Sequence, residues 1–269
     1  MPGFDLADRV VVVTGGLGRL GGSFARALVE AGGRVAIVDA LDDPARAAAL
    51  FAGIGPDRLR VFTADVTSKS QLEGVRDEIA RAWSPPFGLV NNAALDTPPD
   101  APASENGPFE DYPEASFDKV MDVNAKGVFL CCQVFGAAMA AAGVGSIVNI
   151  GSIYGVLSPD QALYQYRRDR GETFFKPVAY SVSKSALMNL TRYLAVYWGA
   201  SGVRVNTLVF AGVFDGQDPE FLKAYVQKVP LGRMAEPKDY DGPVVFLMSD
   251  ASRYMTGASL VVDGGFTAL

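Results

Sequence analysis

The chain has 269 residues, 49% hydrophobic and 20% charged, a balance that suits a globular protein and excludes a disordered one. A net charge of −6 argues against nucleic acid or an anionic membrane as partner and leaves a small molecule. Histidine is absent, which excludes a Ser-His-Asp triad, a histidine-based zinc site and any histidine base.

Short β-branched runs alternate with amphipathic stretches from end to end, the pattern of βαβ units around a parallel sheet. Strands are expected near 10–14, 35–39, 59–64, 88–91, 146–150, 203–209 and 259–262, with helices over 19–31, 68–82, 114–142 and 179–199. This predicts an α/β fold of Rossmann type: a three-layer, doubly wound parallel sheet of about seven strands. Without a linker-like stretch, one domain over 1–269 is expected. No apolar run reaches the roughly 18 residues that span a bilayer, and the N-terminus lacks a signal-peptide layout. No membrane partner is expected, therefore, and the cytoplasm is the expected compartment. The only cysteines, Cys131 and Cys132, are adjacent in an apolar helical stretch and suggest core packing rather than a disulfide or metal site.

Three segments, 96–113, 155–177 and 213–237, break the rhythm, and each follows a strand end. Ligands of open parallel sheets sit beyond the carboxyl ends of the strands, so these segments are expected to wall the substrate; surface decoration is the alternative. The middle one carries Tyr164, Tyr166, Arg167, Arg168 and Arg170. That content suggests a lid gripping an anionic or polyhydroxylated substrate, against an ordinary solvated loop.

The first strand runs directly into Thr14-Gly15-Gly16-Leu17-Gly18-Arg19-Leu20-Gly21 and then a helix. Glycines there permit a tight turn and close approach of backbone to a pyrophosphate, which the helix N-terminus favours. Gly15, Leu17, Gly18, Arg19, Leu20 and Gly21 are therefore candidate cofactor contacts. Asp39 closes the second strand 18 residues beyond Gly21, near the spacing at which a carboxylate meets the adenosine ribose. A carboxylate repels a 2′-phosphate, so NAD is expected over NADP; Arg19 is the residue that could pair with that phosphate.

Several further motifs follow in order: Asp65-Val66, Asn91-Asn92-Ala93-Ala94, Asn124, Ser152, Tyr180-Ser181-Val182-Ser183-Lys184 and Val262-Asp263-Gly264-Gly265. Together with the glycine turn, the series resembles the short-chain dehydrogenase/reductase superfamily, in its single-domain Tyr-x-x-x-Lys type, from Thr14 to Gly265. The resemblance implies that Asp65 and Val66 contact the adenine, and that Asn91, Asn92, Ala93 and Ala94 support the strand and the cofactor. It implies backbone near Val213 meeting the carboxamide, and Tyr180, Lys184, Ser152 and Asn124 as the catalytic set, with no metal. Asp65 as a helix N-terminal carboxylate and Asn91-Asn92 as turn formers remain open.

Spacing alone brings Lys184 onto the face of Tyr180 one helical turn later. A free phenol is about 0.1% ionised at pH 7, so the ammonium and the oxidised nicotinamide are expected to favour the phenolate. Tyr180 would then take the alcohol proton, Ser152 would donate to the substrate oxygen, and Asn124 would hold a water linking Lys184 to solvent.

Three departures qualify the resemblance. Arg19 stands where the single-domain branch has glycine, giving a spacing like that of the nucleotide-sugar branch. Ser152 and Tyr180 are 28 residues apart, about twice the usual separation. The long loop between them resembles that of members linked to flagellar-glycan and sialic-acid-like sugars. Third, Phe210-Ala211-Gly212 replaces the usual Pro-Gly.

The expected activity is hydride transfer between NAD and a secondary alcohol or ketone, on a sugar, polyol or hydroxy acid. Alternatives are an NADP-dependent 3-oxoacyl-type reductase, a nucleotide-sugar dehydratase or epimerase, and a non-catalytic dinucleotide sensor. A homotetramer or homodimer is expected from the resemblance.

Overall fold

A run of four valines and a threonine, Val10–Thr14, is buried on both faces, as a strand inside a sheet covered by helices is, and it forms an interior strand, β1. Val10 and Val12 enter one core layer and Val11 and Val13 the other, as alternation along a strand requires. The computed structural model describes residues 3–96 and 103–269. The remaining strands are β2 (Arg34–Asp39), β3 (Leu59–Thr63), β4 (Gly88–Asn91), β5 (Gly145–Ile150), β6 (Val203–Phe210) and β7 (Ser259–Val262). All pair in parallel, in the order β3-β2-β1-β4-β5-β6-β7. The strand order reverses between β1 and β4, which opens a crevice at their carboxyl ends.

Helices α1 (Arg19–Glu30), α2 (Pro44–Leu50), α3 (Lys69–Ala82), α4 (Glu114–Ala142), α5 (Gln165–Asp169), α6 (Val178–Trp198), α7 (Pro219–Val226) and α8 (Asp241–Met248) surround the sheet. One core layer packs Val75 and Ile79 of α3, Phe135 and Met139 of α4, and Leu187 and Trp198 of α6 against the strands. The opposite layer takes Phe24 and Leu28 of α1 with Val244 and Leu247 of α8. A third cluster, built from Leu163, Tyr164, Phe174 and Tyr225, lies under the segments that follow β5 and β6.

All seven expected strands are present. α2, α5, α7 and α8 lie outside the helices expected from sequence. The Asp241-Gly242-Pro243 start of α8 imitates a turn, whereas proline is tolerated in a first helical turn. α7 begins on an Asp-Pro cap, with Asp218 accepting from the Glu220 N–H, inside a segment read as loop.

The membrane reading needs one correction. The 29-residue α4 is long and apolar enough, by length and composition, to cross a membrane. Its Val128, Cys131, Cys132, Val134 and Phe135 instead lie in the core against the sheet. Two π-helical stretches, Asp122–Gly127 and Cys132–Gly136, interrupt α4; the first carries Asn124. Of the expected 96–113 loop, residues 97–102 lie outside the described residues.

Candidate active site

β1 ends at Thr14, whose buried hydroxyl accepts the N–H groups of Asn92 and Ala93, each at 3.0 Å. The Asn92 amide in turn donates to the carbonyls of Thr14 (3.0 Å) and Gly15 (3.1 Å), stapling the β4 end to the glycine turn. Gly15 has φ +63°, and a Cβ there would lie 2.8 Å from Ala93 Cα. At Gly21 a Cβ would come within 2.3 Å of the Gly15 carbonyl, so no side chain fits between turn and helix. At Gly18 it would meet only the Gly15 carbonyl, at 3.1 Å; the space above belongs to a cleft of about 670 Å³.

Gly15, Leu17, Gly18, Arg19, Leu20, Asp39, Asp65, Val66, Asn92, Ala93, Ala94, Tyr180 and Lys184 line this cleft. The cradle of backbone N–H groups at the helix start, with a carboxylate at the β2 end, suits a dinucleotide. Asp39 is fixed by two backbone donors, Leu17 N at 2.9 Å and Leu41 N at 3.0 Å. Asp65 accepts from Thr67 N and Thr67 Oγ1, both at 2.8 Å, a turn-capping role beside its place on the wall. Gly21 lies beneath the turn and is not on the wall. Val213 lines the neighbouring cavity, where its carbonyl accepts from Gln217 at 2.8 Å.

Arg19 does not turn toward Asp39. Its guanidinium pairs with Asp215 at 2.8 Å, tying the glycine turn to the segment after β6. Arg46 donates to the carbonyl of Leu17, at 2.7 Å, whose N–H is held by Asp39, and it lines the same cleft. Sequence reading missed Arg46 because it sits on α2, which was not expected.

A second cavity, of about 420 Å³, adjoins the cleft, and Tyr180, Phe210, Leu20, Arg19 and Asp96 line both. Tyr180 and Lys184 lie on the first two turns of α6, which starts after Pro177. The Tyr180 hydroxyl contacts Ser152, which also accepts from the Tyr154 N–H at 3.2 Å. The Lys184 ammonium donates to the Ile150 carbonyl at 2.8 Å and lies 5.6 Å from the centre of the Tyr180 ring.

Burial, and then the Asp96 carboxylate, push the Tyr180 phenol above its ordinary value, while burial lowers Lys184 to about 8. The expectation that the adjacent ammonium makes the phenol acidic is therefore not met by the protein alone. Desolvation penalises both charged forms, and Lys184 is directed at a carbonyl.

Asn124 is buried in the first π stretch of α4. Its Oδ1 accepts from Leu95 N (2.7 Å), and its amide donates to Leu95 O (2.9 Å) and Ser183 Oγ (3.0 Å). The side chain clamps the β4 loop to α6, and both its N–H groups are committed there rather than to the expected water. Asn91 bonds Asn149 at 2.8 Å, Asn149 bonds Thr191, and Thr191 meets Thr207, each again at 2.8 Å. This buried polar chain joins β4, β5 and β6 to α6.

The arginines expected to grip substrate are spent within the segment between Ser152 and Tyr180 and on its neighbour. Arg168 donates to the carbonyls of Phe174 (2.9 Å) and Gln161 (2.7 Å), Arg167 pairs with Glu172, and Arg170 pairs with Asp218 at 2.7 Å. The groups of this segment that reach the cavity are Ile153, Tyr154, Tyr164, Tyr166, Phe174 and Lys176. Lys176 carried no signal in the sequence.

The family model described as enoyl-(acyl carrier protein) reductase matches residues 18–267. The chain is 32% identical to an NAD-dependent glycerol dehydrogenase of Listeria innocua, over 98% of this chain and 96% of that one. It is 33% identical to a galactitol 2-dehydrogenase of Rhizobium johnstonii, over 98% and 97% respectively. A gluconate 5-dehydrogenase of Burkholderia cenocepacia, solved with NADP and tartrate, superposes with a TM-score of 0.83 at 26% identity, over 99% and 98% of the two chains. The chain belongs to the short-chain dehydrogenase/reductase superfamily. It is an NAD(P)-dependent oxidoreductase of the kind that moves hydride between a nicotinamide and a secondary alcohol or its ketone.

Proposed function

We propose that this enzyme oxidises a polyol or related sugar alcohol with NAD, using Tyr180 as the proton acceptor. One observation carries the reading: Tyr180, in contact with Ser152, lines both the dinucleotide cleft and the smaller cavity. The cavity mixes aromatic faces, Phe174 and Phe221, with the polar groups of Tyr154, Tyr166, Gln217 and Lys176. Such a mixture suits a ligand with both C–H faces and hydroxyls. Glycerol and galactitol dehydrogenases among the relatives point the same way.

The nicotinamide, when bound, supplies the hydride acceptor and a positive charge. Tyr180 removes the substrate hydroxyl proton, and its phenolate is favoured by that charge together with Lys184. Ser152 donates to the substrate oxygen and orients it. Lys184 holds the Ile150 carbonyl and supplies donors toward the cofactor ribose, while Asn124 fixes the β4 loop against α6. Asp39 supports NAD over NADP, because a 2′-phosphate would approach a carboxylate already fixed by backbone donors. Asp96 and the segments 155–177 and 213–237 serve as substrate walls around the single domain.

We assign the enzyme to a homotetramer or homodimer in the cytoplasm. Supporting assembly, Tyr193, Val196 and Tyr197 project from α6, with the two tyrosine rings stacked at 6.0 Å and Val196 86% exposed. Two free buried cysteines accord with a reducing compartment. The insertion's resemblance to members handling flagellar-glycan and sialic-acid-like sugars favours a second substrate class, a polyhydroxylated sugar.

A panel of polyols, sugars and hydroxy acids with NAD and NADP, read at 340 nm beside Tyr180→Phe, tests the reading. Polyol-dependent NADH formation is expected, with kcat falling about a thousandfold in the variant while NADH still binds. Retention of activity in Tyr180→Phe would overturn it.

A further inference from the structure

Lys176 sits four residues before Tyr180, as Lys184 sits four after, and its ammonium lies 5.3 Å from the centre of the Tyr180 ring. Its backbone is pinned by Gln161, which accepts from Lys176 N at 2.9 Å and donates to Lys176 O at 3.1 Å. The side chain is only 7% exposed, yet it forms part of the cavity wall. Its ammonium donates to Asp96 at 2.5 Å. An ammonium carries three N–H groups, and burying it is costly unless they find acceptors. Among the described residues, Asp96 supplies the one acceptor seen, on a carboxylate whose own side chain is 56% exposed and which lines the same cavity.

A carboxylate and an ammonium side by side offer an acceptor and a donor to one oxygen. A hydroxyl both donates and accepts, so it suits the pair; a carboxylate would face Asp96, and a methyl would offer no acceptor to the remaining N–H groups of Lys176. Tyr180 and Ser152 already claim the oxygen of the reacting carbon. The next oxygen along the substrate falls to the pair, because the Lys176 ammonium lies 5.3 Å from the Tyr180 ring centre and both Lys176 and Asp96 line the cavity with Tyr180.

We propose that Lys176 and Asp96 form a hydroxyl-binding pair for the carbon adjacent to the one oxidised, so that the substrate is a vicinal diol and the product an α-hydroxyketone. The proposal rests on the polyol reading above. In the reaction one C–H hydride leaves for the nicotinamide and the hydroxyl proton passes to Tyr180. The neighbouring C–O bond stays intact and held.

Kinetics with butane-2,3-diol and butan-2-ol, which differ only in that second hydroxyl, test the pair in wild type, Lys176→Met and the neutral double variant Asp96→Asn/Lys176→Met. The measured quantity is the ratio of kcat/KM for the diol to that for the alcohol, which does not depend on the fraction of enzyme folded. Wild type is expected to favour the diol, and the ratio to fall at least about 30-fold in both variants, chiefly through KM. A ratio within about threefold of wild type in the double variant would overturn the pair alone, leaving the polyol reading standing. Wild-type enzyme that oxidises neither the diol nor any polyol would overturn both.

Discussion

The Lys184 ammonium rests 2.8 Å from the Ile150 carbonyl oxygen, which fastens the first turns of α6 to the end of β5. Burial, the dominant influence, lowers this lysine to about 8. The folded protein therefore holds the proton less tightly than the unfolded chain does. The resulting cost is full below about pH 8 and fades as pH rises toward the ordinary lysine value.

Lys184→Met removes that titration. By urea unfolding, the stability of the variant relative to wild type is expected to decline by about 2 kcal/mol between pH 7 and pH 9.5. A difference that stays constant across this range would show that Lys184 titrates normally.

Asp39 is expected to set the choice of cofactor. In Asp39→Ser the ratio of kcat/KM with NAD to that with NADP is expected to fall about 30-fold or more, since a like-charge contact is removed. Activity with NAD falls as well, because Asp39 also holds Leu17 N at 2.9 Å. Steady-state kinetics with both cofactors decide it; an unchanged ratio would move the discrimination to Arg46 or Arg19.

Thr14 is 1% exposed and its hydroxyl receives two N–H groups from the β4 end. Thr14→Val keeps the shape and strands both donors. A loss of about 1–3 kcal/mol is expected, seen as a lower denaturation midpoint at unchanged m-value. Wild-type stability would mean that the two N–H groups find other acceptors.

The apolar stripe on α6 predicts association. Light scattering on wild type should give two or four times the 28.5 kDa chain mass, and Val196→Glu a smaller species. A monomeric wild type would contradict the assigned assembly.

Much of the scaffold was legible because valine-rich strands and the glycine turn obey strong local rules. Tyr180, Lys184, Ser152 and Asn124 were found through ordered motifs, and they do converge on one region. The functions of charged side chains were less legible. Arg19, Arg167, Arg168 and Arg170 suggested anion binding, yet their partners, Asp215, Glu172, backbone carbonyls and Asp218, are fixed by tertiary packing. Lys176 and Arg46 stood in no motif, and only the fold brings them to Asp96 and Leu17. The state of Tyr180 was also beyond sequence, because desolvation depends on what surrounds the ring rather than on what lies four residues away.

The self-contained bonding of the segment between Ser152 and Tyr180 bears on how such an enzyme changes its diet. Arg168 and Arg167 knit the loop together, so Tyr166 and Lys176 can be exchanged without unpicking its frame. New specificities can then arise by swapping those few inward letters while hydride chemistry next door goes on undisturbed.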